Sequence, residues 1–254
     1  LRADFAWEVG AEPVQVVRRE VEVKLSCEDW RGFSRGQQDE FLEEYLRRDR
    51  EQGFDLRRAP LLRLALFRRS DQEHAFILSN HHLLIDGWSL SIVFQEVFAI
   101  YDSRRAERVP RLKHSRSFRD YVAWLGRQDQ AGAESFWHET LKGFTEPTPL
   151  AIENGSANLA DRKEGYSEES LRLSEASTES LQAFARQNRL TLSTLLYGAW
   201  AILLSRYSRE RDIVFGVTSS GRPSDLRGSE AMVGLFINTL PLRVRVASNQ
   251  LLIS

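Results

Sequence analysis

The sequence predicts an α/β (α+β) fold in two lobes, each alternating strands with helices. Period-2 alternation recurs in short segments, apolar stripes at helical spacing follow them, and a stretch dense in Pro, Asn, Gly and charge separates the halves. At 254 residues with 42% hydrophobic content, the chain is long enough for a sizeable core. We place a first lobe at 1–145, a linker at 146–165 and a second lobe at 166–254.

The elements are read in order. After Pro13, "VQVVRREVEVKL" alternates Val21, Val23 and Leu25 against Glu22 and Lys24, which predicts a half-buried strand. Ser34 with Gln37 offers a capping box for a helix whose stripe is Phe41, Leu42, Tyr45 and Leu46, and "FDLRRAP" ends it. "LLRLALFRR" and "HAFILSN", separated by "SDQE", read as an antiparallel hairpin. Its second strand runs into His81. Past Gly87, the residues Leu90, Val93, Phe94, Val97 and Tyr101 recur at helical spacing, with Ser89 placed to cap. "SFRDYVAWLGRQ" and "AESFWHETLKGF" add two amphipathic helices. The second half reads as a strand at "YSEESLRL", a helix at "TESLQAFARQ", and a helix at "TLSTLLYGAWAILLSRY" that is apolar nearly all round, hence expected to be buried. "RDIVFGVTSS" and "GLFINTLPLRVRV" are expected strands.

Composition narrows the function classes. With 35 basic and 36 acidic residues the net charge is −1, which offers no global field for nucleic acid or an anionic membrane. The single cysteine, Cys27, excludes an intrachain disulfide and a Cys-based metal cluster, and we expect it half-buried. No stretch approaches the roughly 20 apolar residues of a membrane-spanning helix, and "LRADFAWEVG" lacks a secretory apolar region, so the expected location is cytoplasmic. The chain opens at Leu1 and closes on "RVRVASNQLLIS", still strand-like, so it reads as a piece of something longer.

His81-His82 stands out, because the chain has only five histidines. Three readings compete. Both are ordinary strand-end residues; or His81, His82 and Asp86 hold a metal; or one ring does acid/base work while the other holds the turn. Successive side chains on a strand point to opposite faces, so neighbouring histidines hardly converge on one ion. The same alternation sends one ring toward a cleft and the other inward. Imidazole, with an unperturbed pKa of about 6.5, suits general-base work without tuning. Asp86-Gly87 would then turn the chain, with Gly87 permitting positive φ or a close backbone approach to a substrate.

"HHLLIDGWS" resembles the HHxxxDG motif of condensation domains in nonribosomal peptide synthetases, members of the chloramphenicol acetyltransferase-like superfamily. Four more segments resemble that family in the same order. "LRADFAWE" is similar to the tail of RHExLRTxF, with Arg2 matching its second arginine, and "SFRDYVAW" to YxDYAVW. "SSGRPSDLRG" and "MVGLFINTLPLR" are similar to its second-lobe segments, the latter written VGxFxNTxPLR. The family's opening SxAQxRLW and closing HQDxPFE and RDxSxxPLF segments are absent, which is read as truncation at both ends.

The resemblance implies two chloramphenicol acetyltransferase-like lobes, each a mixed sheet flanked by helices and the second incomplete, with a tunnel between them. It implies that His82 is catalytic and that His81 and Asp86 support the motif. Asp86 would pair with Arg222 or Arg243, of which Arg222 is preferred. Trp88, Ser89 and Asn238 are candidates for the substrate tunnel, although Trp88 and Ser89 also read as packing and capping residues. The implied reaction joins a donor aminoacyl or peptidyl thioester to the α-amine of an acceptor. Both would be held on the 4'-phosphopantetheine arms of upstream and downstream peptidyl carrier proteins, beside an adenylation domain. The domain itself would bind no cofactor and no metal, and its partners would include no nucleic acid and no membrane. The alternatives are a noncatalytic docking module, for which loss of the second histidine is expected, and a stand-alone CoA-dependent or ester-forming acyltransferase.

Overall fold

Strands β1 (Ala3–Ala6) and β2 (Val14–Val17) form an antiparallel pair in which Ala3 faces Val17 and Ala6 faces Val14. They come from a computed structural model that describes residues 1–7, 13–112, 114–149 and 169–247. The single strand expected over 14–25 is corrected to two strands, β2 and β3 (Leu25–Asp29), with residues 18–24 outside both. The reason is a change of partner: β2 pairs with β1, whereas β3 pairs with a strand of a separate sheet. Alternation is compatible with a strand, but a ladder also needs a neighbour for its N–H and C=O groups. Arg18 closes the first ladder, donating its backbone N–H to the Arg2 carbonyl at 2.8 Å and its guanidinium to Asp4 at 2.6 and 3.1 Å.

The second sheet has the order β3-β4-β5, with β4 at Leu62–Arg68 and β5 at His74–Asn80. β3 runs parallel to β4, and β4 and β5 form the expected antiparallel hairpin, from Leu62 opposite Asn80 to Arg68 opposite His74. β3 is an edge strand with all five residues exposed, so Cys27 is exposed rather than half-buried. Helix α1 (Arg35–Gln52) starts at the capping box that Ser34 and Gln37 promised. Leu42 and Tyr45 pack on the buried Trp30, Ala65 and Phe67, while Phe41 keeps a larger exposed surface. The Trp30 and Phe67 rings stack with centroids 4.0 Å apart. Gln38, buried one turn into α1, donates its amide to the carbonyls of Trp30, Phe33 and Arg69, and so ties the helix start to the end of β4.

β5 leads through a short turn into α2 (Gly87–Arg105), and α3 (Phe118–Leu125) follows, capped by Ser117. Packing divides the chain into two compact units. The first takes Leu1–Gln128 together with the distant segment Ser220–Asn238, and the second takes Asp129–Ser219 with Thr239 onward. In the first unit that segment supplies Leu226, Met232 and Phe236 to a core shared with Tyr121, and Phe118 and Trp124 lean on it.

The second unit holds α4 (Gln130–Thr140), α5 (Glu175–Gln187), α6 (Leu192–Ser208), the strand β6 (Asp212–Ser219) and, from Thr239 on, its neighbour β7 (Asn238–Arg245). Its core is Ala201, Leu204 and Ile213 with Phe215 and Val244. Three expectations are corrected here. Residues 169–173 carry no regular structure, so "YSEESLRL" is not a strand there, and 166–168 lie outside the described residues. β7 starts at Asn238, because Gly234, Leu235, Phe236 and Ile237 leave the sheet to pack in the first unit. Helix α6 is not buried all round: Leu196, Trp200, Leu203 and Tyr207 are exposed, since among the described residues only its Ala201 and Leu204 side meets the core. Residues 150–165 of the expected linker fall outside the described part of the chain. No helix among the described residues is long and apolar enough to cross a membrane.

Candidate functional site

The last rung of the hairpin sets the position of the histidines. His81 N–H donates to the Leu61 carbonyl at 3.0 Å, and its own carbonyl then accepts from Leu84 N–H at 3.0 Å, which starts a turn. Leu84 and Ile85 plunge into a core with Ala3 and Leu61, anchoring the far side of that turn. The His81 ring belongs to the turn: its Nδ1 accepts from Leu83 N–H at 3.2 Å, and Phe54 meets it edge-on. His82 is exposed, and no hydrogen bond or ion pair among the described residues engages its ring. The two rings therefore part company, but not by strand pleating. β5 ends at Asn80, so the pair lies in the turn, and the turn's own hydrogen bonds separate them.

Asp86 caps α2. Its Oδ1 accepts from Ser89 N–H at 2.8 Å, its Oδ2 from Phe236 N–H at 2.9 Å, and its backbone N–H donates to the Gly234 carbonyl at 3.3 Å. The cap is thus Asp86, not Ser89 as expected from spacing. A carboxylate at this position satisfies an orphan N–H of the first turn and faces the positive end of the helix dipole. Gly87 is the first residue of α2 and does not sit at positive φ, which corrects the conformational reason expected for it. A Cβ built there would meet nothing within 4 Å.

Arg222 lies beside Asp86, with Nη2 at 3.5 Å from Oδ1 and both side chains nearly inaccessible. Nη2 also donates to Ser89 Oγ at 2.8 Å, and Nη1 donates to the carbonyls of Ser229 and, at 3.0 Å, Met232. The guanidinium lies over the Phe236 ring at 4.0 Å, with Trp88 at 5.4 Å. Burial pushes the Asp86 carboxyl up, but the amides of Ser89 and Phe236 and the charge of Arg222 outweigh it and leave its pKa below the ordinary value. Burial likewise pulls Arg222 down, partly offset by Asp86.

A family model described as "Condensation domain" matches residues 1–253. The chain belongs to the condensation domain family. It is 47% identical over 254 residues to one of the proteins that make up the linear gramicidin synthase of Brevibacillus parabrevis, covering 100% of this chain and 5% of that protein's length. Among solved structures, the first condensation domain of the calcium-dependent antibiotic synthetase, held with a substrate analogue, has a TM-score of 0.77 at 21% identity, covering 100% of this chain and 59% of that one. The epimerization domain from the third module of tyrocidine synthetase B has a TM-score of 0.80 at 23% identity, covering 99% and 57%. These likenesses give the fold, the chloramphenicol acetyltransferase-like α/β architecture of condensation domains. Domains of this family in nonribosomal peptide synthetases act on substrates carried by the phosphopantetheine of carrier proteins.

In this condensation domain the remaining sequence candidates are placed as follows. Arg243 is excluded as the partner of Asp86: it grips Asp212 at 2.8 and 2.6 Å and the carbonyls of Thr140 and Lys142. Ser89 is fully buried with its hydroxyl engaged, so it lines no open passage, which corrects its candidacy for the tunnel. Trp88 is 54% exposed and donates Nε1–H to the Glu230 carbonyl at 3.0 Å. Asn238 is exposed at the start of β7. Among the described residues no group of three His, Cys, Asp or Glu side chains is placed to hold a metal ion. Sequence reasoning missed Gly234 and Phe236, whose backbone groups bond directly to Asp86 and Ser89. "MVGLFINTLPLR" marked their segment, but a backbone amide leaves no trace in residue type.

Proposed function

We propose that this condensation domain forms an amide bond between a donor aminoacyl or peptidyl thioester and the α-amine of an acceptor, with His82 as the acting group. The observation that carries the reading is the exposed, unengaged imidazole of His82 beside a neighbour whose ring is committed to the turn. Both acyl groups would arrive on the phosphopantetheine arms of upstream and downstream carrier proteins, so those arms count as substrate, and an adenylation domain would be the neighbour that loads them.

The chemistry asks little of the domain beyond geometry. An α-amine with a pKa of about 7.7–8.0 is partly neutral near neutral pH, and a thioester is an activated donor. Holding amine and thioester together contributes at most about 7–11 kcal/mol to lowering the barrier. His82 adds removal of the ammonium proton as the C–N bond forms and the C–S bond breaks, or a hydrogen bond to the tetrahedral adduct, worth about 10²–10⁴-fold. The open space around Gly87 leaves room for the substrate to approach the backbone closely. Asp86, Arg222 and His81 then serve as the frame of the turn.

Epimerization domains share this fold, so the product decides the reaction class. With both carriers loaded in the complete synthetase, mass spectrometry is expected to find dipeptidyl product on the downstream carrier. The variant His82→Ala should form it about 10²–10⁴-fold more slowly while still binding both carriers. Dipeptide formation by that variant at the unmodified rate would overturn the assignment.

A further inference from the structure

Ser89 has no accessible surface, and its hydroxyl is saturated. It donates to the Gly234 carbonyl at 2.7 Å and accepts from Gly234 N–H at 3.1 Å and from Arg222 Nη2 at 2.8 Å. A hydroxyl offers one donor and two acceptor sites, so none is left for a substrate or water. Both polar groups of one distant residue are bracketed by a single side chain. The contact of Arg222 with Ser89 is also 0.7 Å shorter than its contact with Asp86, at 2.8 against 3.5 Å.

The carbonyl of Gly234 that Ser89 holds is the one that accepts from Asp86 N–H, and two residues on, Phe236 N–H reaches the Asp86 carboxylate. Gly234 is held from the other side too, because a Cβ there would overlap the Phe118 ring. Removing the hydroxyl strands a buried N–H at Gly234 and takes from Arg222 its shortest side-chain acceptor on α2. The segment would then drift from Asp86, and with it the turn that presents His82.

We propose that Ser89 is a positioning residue of the condensation reaction, acting through Gly234 and Arg222 to hold Asp86 and the His82 turn in register. The inference rests on the reading of His82 as the acting group. It differs from a simple Asp86–Arg222 brace, in which Ser89 would be a bystander.

The test uses Ser89→Cys, which nearly keeps the volume but hydrogen-bonds weakly, with Ser89→Ala as a second variant, in the complete synthetase with both carriers loaded. Wild type and His82→Ala run alongside. We expect kcat to fall about 10²-fold, as for a small displacement of reacting groups, with KM for the carrier-bound acceptor unchanged. Arg222→Lys added to Ser89→Cys should cost less than its effect alone, because the two act through one contact. Amide hydrogen exchange should quicken at Gly234 and stay as in wild type at Ala65 in β4. Wild-type kcat with unchanged exchange at Gly234 would sink the proposal, as would a loss confined to KM or spread evenly over all amides. If His82→Ala matches wild type, the reading of His82 fails instead, and exchange at Gly234 still decides whether Ser89 holds the segment.

Discussion

The Asp86 carboxylate is held more closely by backbone amides than by an opposite charge: Ser89 and Phe236 N–H lie at 2.8 and 2.9 Å, Arg222 at 3.5 Å. Such bonds favour the ionised form and hold the folded-state pKa below the ordinary carboxylate value despite burial. A carboxylate depressed in this way contributes stability that is fully present above its unfolded pKa, about 3.9, and is lost as the pH falls through its folded value. Asp86→Asn removes that term and turns an amide donor toward one of the two N–H groups. The variant should therefore unfold at lower denaturant at pH 7, and its deficit should narrow as the pH drops below about 4. Denaturant unfolding from pH 7 to 3 measures this, and a deficit constant with pH would contradict it.

Among the elements, the α1–sheet contact is centred on the Phe67 ring. Phe67 has no accessible surface, stacks on Trp30 and meets Tyr45 edge-on with centroids 4.9 Å apart. Phe67→Ala should cost about 3–5 kcal/mol through lost burial and the cavity left behind, read as a shift in the urea midpoint without a change in slope. A cost under about 1 kcal/mol, small for any core truncation, would mean that Trp30 and Tyr45 collapse into the space. The α1 start, the hairpin and the helices α3, α4 and α5 were readable because each depends on neighbours within a turn or a pleat: a cap three residues from its partner, or a stripe at helical spacing. Where an element depends on a distant partner, the pattern misled. Val21 and Val23 alternate without a ladder, and α6 is apolar around its circumference yet shows Trp200 and Tyr207 on an exposed side.

For the molecule as a whole, the decisive feature is that Ser220–Asn238, which follows β6 in sequence, belongs to the first unit and completes it. Gly221 permits it. Its φ is +61°, and a Cβ there would overlap the Phe236 carbonyl, so the two ends of the excursion cross at this point. Gly221→Ala should destabilise the protein by at least about 1–3 kcal/mol from backbone strain alone, with overlap adding to it, and should lower condensation in step. Thermal unfolding and product formation test this together, and a variant as stable as wild type would remove the crossing from the account.

By itself the sequence determined the α/β class, the existence of the helices, the hairpin and the motif that carries His82, since these are written in spacings of two to four residues. Tertiary structure alone decided that Asp86 caps α2 with the help of Phe236 and that Ser89 is sealed inside, and it settled the preference for Arg222 over Arg243. Phe236 and Asp86 are 150 residues apart, and what joins them is a backbone N–H common to every residue but proline.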